Sequence, residues 1–179
     1  MFARSGYYGA TVDDIVAQAG LSKGAFYFYF PSKEALLVTL LEDFAEALAR
    51  DIQKAVEATS GAQARVESAL KAGIGTFAAH PDLARVFLVE AVGVKAELER
   101  KRRELVGRFC SLIQGYLDMA VAEGDIPPAD TALMARAILG AIHEVVVHHL
   151  TAQDAGDIQG AVRPLARFIL RGAGWQVPP

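Results

Sequence analysis

Residues 11–33 read TVDDIVAQAGLSKGAFYFYFPSK, and five of them in succession, Phe26 to Phe30, are aromatic. Such a run is either a fully buried strand or a helix with rings pointing in every direction, and its flanks choose the helix. Thr11, followed by Asp13 and Asp14, offers a hydroxyl to free backbone N–H groups and carboxylates to the positive end of a helix. Ile15 and Val16 give that helix a buried side. Gly20 tolerates the left-handed conformation that ends it, Ser22 caps a second short helix, and Pro31 stops that one before Ser32 caps the next. Two short helices joined by a tight glycine-containing turn predict a helix-turn-helix, whose second helix enters the DNA major groove. Phe26 and Phe30, four apart at about 100° per residue, share one face and hold the helix. Tyr27, Phe28 and Tyr29 then face outward. Tyrosine hydroxyls reach phosphate oxygens, the rings press on thymine methyl groups, and Gly24 and Ala25 let the backbone approach base edges. Lys23 and Lys33 add local positive charge. The competing reading is that all five aromatics are core and both lysines are merely solvated.

Working outward, 179 residues with 53% apolar and 22% charged side chains suffice for one large domain, or a small one joined to a larger one, and exclude disorder. The apolar runs Ala141–Ile142 and Val145–Val147 are interrupted by His143, Glu144, His148 and His149, so no membrane span of about 20 apolar residues is expected. The expectation is a soluble protein. The start carries no signal-peptide pattern and the single Cys110 has no intrachain partner, which points to a reducing cytoplasm. A net charge of −3 argues against a broadly basic surface. Residues 1–33 hold Arg4, Lys23 and Lys33 against Asp13 and Asp14, a local balance of +1. Any DNA contact is therefore local.

From Thr11 onward apolar residues recur at helical spacing and no segment alternates long enough to propose a sheet, so the fold class expected is all-α. A long helix over about 33–58, with Leu37, Leu40, Leu41, Phe44, Leu48, Ile52 and Val56 at three- and four-residue spacing, joins two domains. Further helices are predicted from Val66 to Phe77, from Pro81 to about Val92, through Leu98 to Leu117 with apolar stripes over a wide arc, at about 130–152 and at about 157–172. Gly124–Pro128 is the clearest loop. Pro164 marks a kink or a late start of the last helix.

The segment Gly6–Leu37, GYYGATVDDIVAQAGLSKGAFYFYFPSKEALL, resembles the DNA-binding region of TetR-family transcriptional regulators: cap, turn, aromatic helix and the PSKEAL exit occur together. The resemblance implies a homodimer, with an N-terminal DNA-binding domain at 1–45 and a helical ligand-binding and dimerisation domain at 46–179. By position it assigns DNA contacts to Thr11, Lys23, Gly24, Ala25, Tyr27, Tyr29 and Lys33. Phe28 occupies a variable position and is kept as a candidate. Met1–Arg4 matches only the end of the family's first helix, so that helix is expected to be truncated. The last two helices of the chain bury two sides each, and a second copy is the economical partner, with Met134, Ile138, Ala141, Val145 and His148 of one and Leu165, Phe168 and Ile169 of the other at the interface. A large monomer core is the alternative.

Phe77, Phe87, Leu98, Leu105, Phe109, Ile113 and Tyr116 are candidate pocket residues, with Glu90 and His143 as polar groups; each is equally readable as core. Lys95–Glu104, KAELERKRRE, is either a solvated face of Glu97–Lys101 and Glu99–Arg103 pairs or, through Lys95, Arg100 and Arg103, a phosphate site. RVFLVEAVGVKAELERKRREL, Arg85–Leu105, and GAIHEVV, Gly140–Val146, are similar to regulators of fatty-acid degradation that respond to acyl-CoA. The function expected is thus a repressor on a palindromic operator, released by a small apolar effector such as fatty acyl-CoA. Two alternatives stay open: a DNA-binding helical protein without effector, and a helical enzyme. For the enzyme little speaks, since His148 and His149 point about 100° apart on a helix and Glu144 with His148 is half a metal site. Neither cofactor nor metal is expected.

Overall fold

The computed structural model describes residues 1–152 and 156–176, and among these every regular element is a helix. In chain order they are α1 (Phe2–Gly9, kinked at Gly6), α2 (Val12–Ala19), α3 (Lys23–Tyr29), α4 (Lys33–Glu57), α5 (Ala62–Ala79), α6 (Pro81–Arg85), α7 (Ala96–Glu123), α8 (Thr131–Thr151) and α9 (Val162–Gly172). A π-helical turn, Val86–Glu90, extends α6, and a 3-10 turn, Ile158–Ala161, precedes α9. The helix expected to run to Val92 therefore changes hydrogen-bond register at Val86. Pro164 falls in the first turn of α9, where its missing N–H breaks no intrahelical bond. The late start was the correct branch.

The residues gather into two compact units that do not follow chain order: Met1–Glu46 with His80–Leu105, and Ala47–Ala79 with Val106–Pro179. Helices α4 and α7 each run through both. The first unit is built on Leu37, Leu41 and Phe44 of α4, with Phe2, Tyr7, Val16 and Phe26 from the first three helices and Phe87 and Leu98 from the later segment, all buried. Phe44 and Phe87 rings meet with centroids 5.7 Å apart. Tyr8 donates its hydroxyl to the carbonyl of Val94 at 2.6 Å, and Lys95 pairs with Glu34. In the second unit α5 packs on α9 and on the 3-10 turn, burying Leu70, Ile74, Leu165, Ile169 and Leu170. A cluster of Leu117, Ala120, Ile126, Ala135 and Ala173 closes its other end, with Trp175 packed against it.

Helix α8, 21 residues long, has the length and average hydropathy of a membrane span, which in a single helix is weak evidence for one. Only Ala135 and Val146 of α8 are buried, while Leu133, Ala137, Gly140, Glu144 and His148 are exposed along one stripe.

Candidate DNA interface and ligand cavity

Local chemistry sets the reading surface before any tertiary contact does. The Thr11 hydroxyl accepts from the Asp14 N–H at 3.1 Å, and the Asp14 carboxylate accepts from the Thr11 N–H at 3.2 Å, a reciprocal cap on α2. The Thr11 contacts hold the Asp14 carboxyl below its ordinary range. Gly20, at φ 68°, makes the left-handed turn. Ser22 accepts from the Ala25 N–H at 3.1 Å, starting α3 one turn later.

This short α3 has one anchored side. Phe26 is buried and its ring lies 5.8 Å from that of half-buried Phe30. The other aromatics have no such cover: Tyr27 is 53%, Phe28 81% and Tyr29 73% exposed. Gly24 is exposed and Ala25 half-buried beside them. Lys23 is exposed and pairs with Asp13 at 2.7 Å, so a phosphate must compete with that carboxylate for it. Lys33 is placed differently from the other six positions. Its ammonium donates to the carbonyls of Tyr7 at 2.6 Å and Ala10 at 2.8 Å and lies 4.2 Å above the Tyr7 ring centroid. It ties α1 to α4 from inside.

A cavity of about 380 Å³ opens in the second unit, within the range of about 300–1,000 Å³ usual for small-molecule sites. Val56, Val66, Ala69, Leu70, Ile113, Tyr116, Leu117, Ile138, Ile142 and Ile169 make its apolar wall. Arg65, Glu123 and Asp125 supply the charged lining, and Met119 and Trp175 complete it. Of the residues the sequence proposed for a pocket, Ile113 and Tyr116 line this one. Phe77, Phe87, Leu98 and Leu105 are buried core, Phe109 is half-buried outside the lining, and His143 is exposed on α8. Glu90 accepts from Arg85 at 3.1 Å. Among the lining residues missed by sequence reading are Gly61 just before α5, Ala62 and Ala69 of α5 and Ala120 of α7, whose small side chains leave space.

The basic run at the start of α7 belongs to the first unit and is tied up in ion pairs. Arg100 pairs with Glu97 at 3.6 Å, Arg103 and Arg102 with Glu99 at 3.0 and 2.9 Å, and Lys101 with Glu42 at 2.6 Å. None of these cations lines the cavity. Glu99, 16% exposed, also accepts from the Gly93 N–H at 3.4 Å. Its carboxyl is held at about 2, from an ordinary 4.5, chiefly by the Arg102 guanidinium and against the opposing pull of desolvation. A folded pKa below the unfolded one stabilises the fold above about pH 4.5, and the stabilisation is lost as pH falls toward 2. Thermal melts of the wild type and Glu99→Gln should therefore differ by a constant amount above pH 5 and converge as pH approaches 2. A difference that persists unchanged at low pH rules out this role of the carboxylate.

At the expected interface, Met134, Ile138, Ala141 and Val145 are half-buried and His148 is exposed. Leu165 and Ile169 are spent on the core of their own unit, leaving Phe168, 65% exposed, as the apolar side chain α9 offers outward; Leu133 of α8 is 61% exposed.

Two family models match the chain: bacterial regulatory proteins of the tetR family over residues 1–40, and the tetracyclin repressor-like C-terminal domain over residues 59–147. The fatty acid metabolism regulator protein of Bacillus subtilis is 25% identical over 173 residues, 96% of this chain and 89% of that one. The HTH-type transcriptional regulator EthR of Mycolicibacterium smegmatis is 30% identical over 127 residues, 68% of this chain and 58% of that one. Among solved structures, the fatty acid degradation regulator FadR of Bacillus halodurans aligns at a TM-score of 0.86 with 25% identity, covering 96% of this chain and 92% of that one. FadR of Bacillus subtilis, solved with stearoyl-CoA, aligns at 0.86 with 23% identity and the same coverage.

Proposed function

Because the chain belongs to the TetR family of transcriptional regulators, we propose that it is a cytoplasmic repressor that binds a palindromic operator as a homodimer and is released by an elongated apolar effector of the fatty acyl thioester class. The observation that carries the DNA half is the outward Tyr27–Phe28–Tyr29 face on a capped short helix, since three adjacent exposed aromatics without cover call for a partner. Residues 1–45 serve as the DNA-binding domain and 46–179 as the effector and dimerisation domain. The dimer is proposed through α8, whose exposed stripe carries Leu133, Ala137 and Gly140 together with Glu144 and His148, and through Phe168 of α9, which a second copy would cover. Two copies then set their α3 helices about 34–36 Å apart, or somewhat more, in successive major grooves.

The effector half rests on the apolar cavity, together with the likeness to relatives named for fatty acid metabolism and degradation. A cavity of this size argues against a regulator without ligand. Helices α4 and α7 pass through both units, so a ligand that favours one placement of their distal parts can bias the other end. A tenfold loss of operator affinity requires only about 1.4 kcal/mol of such coupling. The test combines selection from random duplexes with titration of acyl-CoAs of several chain lengths, palmitoyl-CoA among them, against the selected complex. Inverted repeats released by the thioester are expected; sites without two-fold symmetry, or no release by any chain length, reject the corresponding half. Ala69→Phe, which places a ring in the cavity, should leave operator affinity within about twofold while raising the thioester concentration needed for release about tenfold or more. Unchanged release would remove the effector from this cavity.

A further inference from the structure

Trp175 presents the one polar side-chain atom among the described residues that is both buried and without a hydrogen-bond partner: its indole N–H. A buried unsatisfied donor is costly and calls for an explanation. Gly174, at φ 95° and so close to Pro127 that an added Cβ would sit 2.9 Å from its ring, turns the tail and seats the indole on the cavity wall. The ring packs against the apolar cluster of Leu117, Ala120 and Ile126, of which Leu117 and Ala120 also line the cavity. Among the described residues none supplies an acceptor for the N–H, and a ligand in the cavity that Trp175 lines can supply one.

The position within the cavity matters. Trp175 packs where α7 ends, near the exposed charged residues Glu123 and Asp125, whereas Ile113 lies ten residues deeper along the same helix, about 15 Å away at 1.5 Å per residue. The wall thus grades from a charged rim to an apolar interior. An amphiphile entering with its chain toward the apolar interior would carry its first carbonyl near the rim, where Trp175 lies. Arg65 against Glu123 and Asp125 leaves the rim one negative charge in excess, so a polyanionic nucleotide remains outside in water.

We propose that Trp175 is a specificity-determining residue whose indole N–H donates to the effector's acyl carbonyl oxygen, selecting acyl thioesters over otherwise identical chains that lack the carbonyl. This rests on the acyl-thioester reading of the cavity given above. The test compares palmitoyl-CoA with S-hexadecyl-CoA, the thioether without the carbonyl, by calorimetry on wild type and Trp175→Phe. Wild type should bind the thioester about tenfold more tightly, the size of one net hydrogen bond with an otherwise unpaired donor, and Trp175→Phe should bind both alike. Trp175 is the chain's single tryptophan, so its emission is a second readout that needs no variant. It should shift to the red with the thioester and not with the thioether. Equal affinity and equal emission for both ligands in wild type overturns the role of Trp175 while leaving acyl-CoA as effector. Failure of both to bind overturns the acyl-CoA reading and this inference with it.

Discussion

Replacing Tyr27 and Tyr29 together by alanine is expected to lower operator affinity about a hundredfold while leaving the melting temperature unchanged. Each ring is more than half exposed, so its removal opens no cavity, and the anchoring pair Phe26 and Phe30 stays in place. Each is assigned one contact worth about 1.4 kcal/mol, a factor of ten, and two separate contacts add. Circular dichroism melts alongside fluorescence anisotropy on the selected operator separate the two effects. Retained affinity in the double variant would remove this face from the interface, and a lowered melting temperature would show the rings to be core. Phe28→Ala, measured in the same series, decides whether the most exposed of the three aromatics contributes.

Lys33→Ala should act in the opposite way, through the fold. The ammonium ties two backbone carbonyls of the α1–α2 region to α4 and caps the Tyr7 ring. Charge-assisted bonds of this kind contribute about 1.5–3 kcal/mol, and their loss leaves half-buried carbonyls unpaired. A destabilisation of about 2–3 kcal/mol corresponds to a fall of about 5–10 °C in melting temperature for a chain of this length. Well below that temperature, the salt dependence of operator binding should match wild type. A slope reduced by about one per copy would mean that the ammonium releases a phosphate counterion instead. Lys23→Ala is the internal comparison: its side chain is exposed and paired with Asp13, itself exposed, so it should alter the slope and not the stability.

Together the two variants divide a surface that the amino-acid sequence presents as one. Thr11, Lys23, Gly24, Tyr27 and Lys33 all stand at matching positions of one motif, and nothing in the spacing distinguishes a lysine that faces solvent from one that reaches back to Tyr7. The difference depends on where α1 lies, twenty-odd residues away in the chain.

What the sequence by itself determined is what is decided within a turn or two of backbone. The reciprocal Thr11–Asp14 cap, the left-handed Gly20, the Ser22 cap and the Phe26–Phe30 pair all act over four residues or fewer, so the helix-turn-helix and its outward aromatics were legible from composition and spacing. The all-α class was legible for the same reason, because helical periodicity is a local property. The tertiary structure alone decided where the space is. Phe77, Phe87, Leu98 and Leu105 have the size and pattern of a pocket wall, yet close packing buries them. The cavity opens instead where Gly61 just before α5, Ala62 and Ala69 of α5 and Ala120 of α7 leave space. A void is set by the summed volumes of residues distant in the chain, and no periodicity along one helix records that sum. The same holds for Trp175, whose N–H is seen to lack a partner among the described residues only once the side chains from other helices are placed around it.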